Sequence, residues 1–270
     1  MNTNEIMKLA LDMSGFDYIP ADSEIYVEGK GIKKILFGID IDSSDLYYAK
    51  ANGYDAVIAH HPQASIINAH EVYKDHVKVM NKYGVPEEAA QKAIEDKYEM
   101  LKISAMSANY DSTISVAQML NMPFLNIHQP LDEIGRRLMQ DKVDQVCKDE
   151  NATLEDVIKA LSSFKEMQVA RTKVELLIGD ENGKAGKTVV AHGTYTNGGY
   201  DVANAYFENG VNTVVYIHIT YPDYIRLKKE NKGNLIVSGH IASDAVGINP
   251  FVEALREKGL EVTTVKGIIK

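Results

Sequence analysis

Near the start of this chain a strand, a helix and a second strand follow one another, and this order limits the fold more tightly than any other feature. The run "KKILFGIDI" (33–41) is apolar and bounded by polar residues, and it reads as a strand. "SSDLYYAKANGY" (43–54) reads as a helix, with Asp42 or Ser43 as its cap and Gly53 at its stop. "DAVIAHH" (55–61) is the next strand. Strand, helix and strand within about thirty residues make a βαβ unit, which implies parallel pairing. The alternation continues, so the expected fold class is α/β.

Further along, "EVYKDHVKVMNKYG" and "VPEEAAQKAIEDKYEML" read as helices. "KISAMSANY" (102–110) reads as a strand, with the helix "DSTISVAQMLN" after it. "HQPLDEIGRRLMQ" (128–140) looks loop-like and opens a new region. "ATLEDVIKALSSF" carries a capping box, Thr153 with Asp156, and an apolar stripe of Val157, Leu161 and Phe164. "TKVELLIGD", "KTVVAHGT", "VNTVVYIHIT" and "NLIVSGH" read as strands, and "YDVANAYFENG" as a helix. The last helix is expected over "NPFVEALREKG", with Asn249 as cap, Pro250 at its first position and Gly259 as its stop. These elements predict a discontinuous first domain, 1–128 plus 233–270, interrupted by an inserted α/β domain over 129–232.

Composition narrows the function classes. With 270 residues, 45% of them hydrophobic, the chain can build one large core or two smaller ones. A net charge of −9 without a basic cluster argues against a nucleic-acid partner. The single cysteine, Cys147, excludes an internal disulfide and fits a reducing, cytoplasmic setting. One cysteine also cannot build a thiolate cluster, so a metal site must use histidines and carboxylates. No stretch is long and apolar enough to cross a membrane, so no membrane partner is expected. The first residues read as an amphipathic helix through Ile6, Leu9, Ala10 and Met13.

Ligand sites in open α/β sheets gather at the carboxyl ends of strands. His60 and His61, Asp111, and His240 all stand at such expected ends, and Asp244 follows His240 by one helical turn. Neighbouring strand residues point to opposite faces. His60 and His61 can therefore share one ion only if the chain bends, as Pro62 allows, or can serve one ion each. The same pair could also end a strand as hydrogen-bonded surface histidines. His70, His76 and His128 lie among polar residues and are expected to be solvated. His192 precedes "GTYTNGGY", a stretch that suits either a strand-to-helix turn or an anion-facing loop.

Together these motifs resemble the GTP cyclohydrolase I type 2-like family, the Nif-three-like dinuclear metal centre proteins. The family's "HHP" after a βαβ unit is matched by His60-His61-Pro62, and its "HTNLD" by "SANYD", ending at Asp111. Its C-terminal "GH" with a glutamate four residues later is matched by "GHIASD". The resemblance implies two divalent ions per chain (zinc, iron, manganese, cobalt or nickel) held by His60, His61, Asp111, His240 and Asp244. It implies a homohexamer and a metal-dependent hydrolase acting on a small molecule such as a nucleotide, cyclic amide or phosphoester. In a family member the proposed reaction is hydrolytic opening of the GTP imidazole ring. Three positions depart from the pattern. Ser107 stands where a histidine is usual, Asp244 is one methylene shorter than glutamate, and His218 replaces the glutamate of a "TGE" segment. His218 or His192 would then handle the proton. Loss of the usual groups also fits a second role, a non-catalytic metal-binding scaffold, metal-insertion factor or regulator.

Overall fold

The computed structural model describes residues 1–269. It is mixed α/β, with two sheets of mostly parallel strands. The described residues divide into two compact units, 1–72 with 100–134 and 247–268, and 73–99 with 135–246 and 269.

The first unit opens with helix α1 (Thr3–Ser14). The Asn2 side chain accepts from the Glu5 backbone N–H, and Glu5 returns the bond, so a capping box starts the helix. Gly15 ends it at φ 81°, the left-handed conformation that glycine adopts without strain. Strand β1 (Glu24–Val27) follows, then β2 (Lys34–Gly38), α2 (Ser43–Ala51) and β3 (Ala56–Ala59). Asp42 caps α2, accepting from the N–H groups of Ser44 and Asp45. β2 and β3 pair in parallel, which is the expected βαβ unit.

Next along the chain come α3 (His70–Tyr73), α4 (Asp75–Lys82), α5 (Glu87–Ala105), α6 (Ser112–Met119) and β4 (Phe124–Asn126). The strand expected over 102–110 does not form. Its first four residues finish α5, and turns follow. Ala, Met and Lys favour helix, and no partner strand covers this stretch, since Ile103 and Met106 stay exposed. The loop expected over 128–140 is helical, because α7 runs Gln129–Val146. Its inward face includes Gln129, Asp132, Arg136 and Gln140, and this buried polar character hid the helical period.

The second unit then forms α8 (Leu154–Ser162), α9 (Lys165–Val169), β5 (Glu175–Ile178), β6 (Thr188–Val190), α10 (Gly199–Glu208), β7 (Thr213–Tyr216), α11 (Tyr221–Glu230) and β8 (Asn234–Val237). Thr153 and Asp156 make the expected capping box on α8. The sheet order is β5-β8-β7-β6, with β6, β7 and β8 parallel and β5 antiparallel at the edge. β8 therefore pairs within this second sheet, and the boundary expected at 232/233 falls instead near 246. Strand-end character alone could not say which sheet "NLIVSGH" would join.

The final helix, α12 (His240–Glu257), begins nine residues before the expected Asn249 cap, and Pro250 lies inside it. Proline removes one N–H from a helix interior. Here the flanking residues Ala242, Ala245, Ile248, Phe251 and Leu255 are all buried, so packing holds the helix through that loss. Strand β9 (Glu261–Val265) then completes the first unit's sheet, in the order β1-β4-β3-β2-β9, with β1 alone antiparallel.

In the first unit's core Phe37 of β2 meets Phe251 edge-on, with ring centroids 6.2 Å apart. Both rings are wholly buried. Phe37→Ala should cost about 3–5 kcal/mol. The loss should appear as a lower urea midpoint, and an unchanged midpoint would contradict this packing.

Candidate metal centre

The two units place their histidines by the same rule, just beyond the carboxyl ends of parallel strands. In the first unit the register sets Ala59 of β3 beside Asn126 of β4. His60 leaves the sheet from one strand, and Ile127 and His128 leave it from the other. The His60 backbone N–H donates to Gly38 O at 2.9 Å and that of His61 to Ile39 O at 3.0 Å. Ladder-like pairing thus continues past β3 before Pro62 ends it. His60 is wholly buried and His61 only partly.

Each of these three histidines engages its Nδ1. His60 Nδ1 lies 3.0 Å from Ile127 O, His128 Nδ1 lies 2.7 Å from Asp22 Oδ2, and His61 Nδ1 lies 2.8 Å from Asp40 Oδ1. Carbonyl and carboxylate oxygens accept, so each Nδ1 donates, and in the neutral ring each Nε2 carries the lone pair, the atom type that binds a metal. Acceptors behind Nδ1 are the usual orienting partners of metal-binding histidines. Asp22 is itself wholly buried, and Asn126 Nδ2 donates to its backbone carbonyl at 2.7 Å.

Potential ligand atoms of His60, His61 and His128 lie within 4.8 Å of one another. Asp132, one turn into α7, faces two of them. Its Oδ1 is 3.2 Å from His60 Nε2 and its Oδ2 is 3.6 Å from His128 Nε2. Imidazole lone pairs and a carboxylate repel at such distances unless a cation or a second ring proton stands between them. This donor set of imidazoles and carboxylate suits a first-row divalent metal.

Two expectations change here. His128 is buried beside His60, its ring centroid 4.9 Å away, and is not solvated. Asp111 is exposed in a turn before α6, where its backbone carbonyl accepts from Ser115 N–H at 2.8 Å. Among the described residues it joins no such ligand group. The carboxylate beside His60 is Asp132. The signal was present in the sequence, since "HQPLD" (128–132) shares its first residue and its last two with "HTNLD", whereas "SANYD" shares only the central asparagine and the final aspartate.

In the second unit His192, His218 and His240 follow the parallel strands β6, β7 and β8 by two or three residues. His240 opens α12, and its Nε2 lies 3.3 Å from Oδ2 of the buried Asp244 one turn on. The expected same-face spacing of this pair is observed. The His218 ring centroid is 4.7 Å from that of His240. Burial, then the neighbouring His240, pushes the His218 imidazole pKa down to about 4. His192 is buried. His76, expected to be solvated, is also buried, and burial takes its pKa down to about 4. His70 is only slightly exposed, with Nε2 3.3 Å from Glu71 Oε1.

The loop between His192 and α10 is strained. Gly193, Thr194 and Tyr195 have φ of 78°, 60° and 72°. A β-branched residue such as Thr194 rarely takes this conformation. Thr194 and Tyr195 each store roughly 1–3 kcal/mol, in a conformation that persists only where the surrounding structure imposes it.

A family model described as Duf34/NIF3 (NGG1p interacting factor 3) matches residues 25–268. A crystal structure of a NIF3 superfamily protein from Sphaerobacter thermophilus has 45% sequence identity and a TM-score of 0.96, covering 99% of this chain and 98% of that one. Reduced HcgD from Methanocaldococcus jannaschii has 16% identity and a TM-score of 0.60, covering 98% and 97%. A Thermus thermophilus protein has 14% identity and a TM-score of 0.55, covering 98% of each chain. These last two show likeness of fold alone. No curated protein matches the chain significantly. By the family match and the Sphaerobacter likeness, the chain belongs to the DUF34/NIF3 family.

Proposed function

We propose that this protein is a metal-dependent hydrolase that binds two divalent ions per chain. Its ligands are His60, His61, His128 and Asp132 in the first unit and His240 and Asp244 in the second. Asp132 takes the role first expected of Asp111. The observation that carries this reading is the set of three histidines whose Nδ1 atoms are all engaged by oxygen acceptors. Solvated surface histidines need no such common orientation, whereas metal ligands do.

Divalent metals held there supply Lewis-acid polarisation of a substrate oxygen and a more acidic water. The chain's own groups do the rest. Asp22, Asp40 and Ile127 O orient the ligand imidazoles. His218 stands beside His240, where it can engage a substrate atom, and His192 follows the neighbouring strand. The substrate class we propose is a small nucleotide-like molecule, cyclic amide or phosphoester, with ring opening of GTP as the first reaction to examine. The acidic composition and single cysteine fit a cytoplasmic protein. Among the described residues, no helix is long and apolar enough to cross a membrane.

Elemental analysis of protein prepared without chelator should find up to two divalent ions per chain. No metal, and no uptake after dialysis against zinc or manganese, would refute the reading. Asp22→Ala should weaken metal binding about tenfold to a hundredfold by freeing the His128 ring. Calorimetric titration of zinc into the apoprotein measures this, and an unchanged affinity would remove Asp22 from the support of the site.

Turnover should appear when metal-loaded protein meets GTP and a panel of cyclic amides and phosphoesters, and should vanish on chelation. Metal binding without turnover of any of these would favour a scaffold or metal-insertion role instead. We also propose a homohexamer. Exposed methionines in the first unit, Met106 at 88% and Met119 at 79%, support the presence of apolar surface to cover. Sedimentation equilibrium should give six chain masses, and a single chain mass at micromolar concentration would contradict the assembly.

A further inference from the structure

Four consecutive backbone carbonyls, three in the loop before α10 and one at its first residue, each accept a hydrogen bond from a different side chain. His76 Nε2 lies 2.9 Å from Thr196 O, and Lys97 Nζ lies 2.6 Å from Asn197 O. Tyr73 Oη donates to Gly198 O at 3.4 Å, and Tyr216 Oη donates to Gly199 O at 2.9 Å. His76, Tyr73 and Tyr216 are buried. These donors come from α3, α4, α5 and β7, so the grip on the loop is wholly tertiary. Thr194 adds a further tie, its hydroxyl 2.7 Å from His76 Nε2. A loop with three successive left-handed residues is thereby held in one conformation.

The grip delivers one side chain to His218. Asn197 Oδ1 accepts from the Gly199 backbone N–H at 2.9 Å, which identifies the other amide atom as nitrogen. That nitrogen lies 2.9 Å from His218 Nδ1. An amide nitrogen only donates, so His218 Nδ1 must hold the lone pair and the ring proton must sit on Nε2. A protonated ring would set two donors face to face. We propose that Asn197 is a positioning residue that keeps His218 as the neutral Nε2–H imidazole. His218 then serves the site by donating a hydrogen bond to a substrate oxygen, carbonyl or phosphoryl, and is neither a general base nor a metal ligand. This rests on the proposed function only in assigning His218 to the reaction site. The tautomer itself stands on the hydrogen bonds above. A neutral imidazole that polarises a carbonyl by donation is an established catalytic device.

The test is nitrogen NMR of the full chain carrying ring-labelled histidine, with the His218 signals assigned by their loss in His218→Gln. The parent should show a pyrrole-type Nε2 and a pyridine-type Nδ1. Asn197→Asp keeps an acceptor for the Gly199 N–H but offers His218 an acceptor in place of a donor. It should invert the pattern. Asn197→Ala, which removes both bonds, should give averaged signals and serves if the aspartate variant does not fold. Zinc loading should leave the parent's Nε2 pyrrole-type. A pyrrole-type Nδ1 in the parent, an Asn197→Asp pattern like the parent's, or a metal-bound His218 nitrogen would overturn the proposal. Zinc content is measured on the same samples. A chain that takes up no metal but shows the expected tautomer fails the metal reading alone, and the reverse result fails this one alone.

Discussion

The hydrogen bond from His60 Nδ1 to Ile127 O joins the ends of two neighbouring parallel strands, and the first unit's site depends on it. His60 has no solvent exposure, so its polar ring atoms must be satisfied within the protein. The bond spends Nδ1 on the backbone and directs Nε2 towards Asp132. It forms only because β3 and β4 share a register that brings both strands to their ends together. The site is thus a consequence of sheet pairing before it is a matter of ligand chemistry.

Around that bond the unit builds outward through buried polar groups. Ser65 Oγ and Asn126 Nδ2 both donate to Asp22 O, and Asp22 in turn accepts from His128. Tyr26 joins the same network through Asn126 Oδ1. Such networks are costly when partly satisfied and rigid when complete, which suits imidazoles that must hold one orientation. The second unit uses another means to the same end. It grips a strained loop through its carbonyls, and the grip sets the Asn197 amide against His218.

The expected βαβ unit, the α8 capping box, the start of α2 at Asp42 and the pairing of His240 with Asp244 on one helix face were all legible in the residues. Each depends on neighbours within a few positions, where propensity and capping act. Elements whose signal is tertiary are not legible there. α7 buries polar side chains that resemble a loop, α12 runs through a proline that packing tolerates, and 102–110 lacks the partner a strand would need. The placement of Asp132 rather than Asp111 beside His60 has the same origin, because "HQPLD" becomes a candidate ligand segment only when a strand before it and a helix within it are recognised.

Sequence by itself determined the alternation of strands and helices, the histidines at strand ends and membership of the DUF34/NIF3 family, since these follow from local period, spacing and motif order. Tertiary structure alone decided which histidines meet, which sheet β8 joins and which nitrogen of each ring carries its proton. Those outcomes depend on partners distant in the chain, Ile127 O for His60, Asp22 for His128 and Asn197 for His218, and such contacts exist only after strand register and loop packing bring them within hydrogen-bond reach.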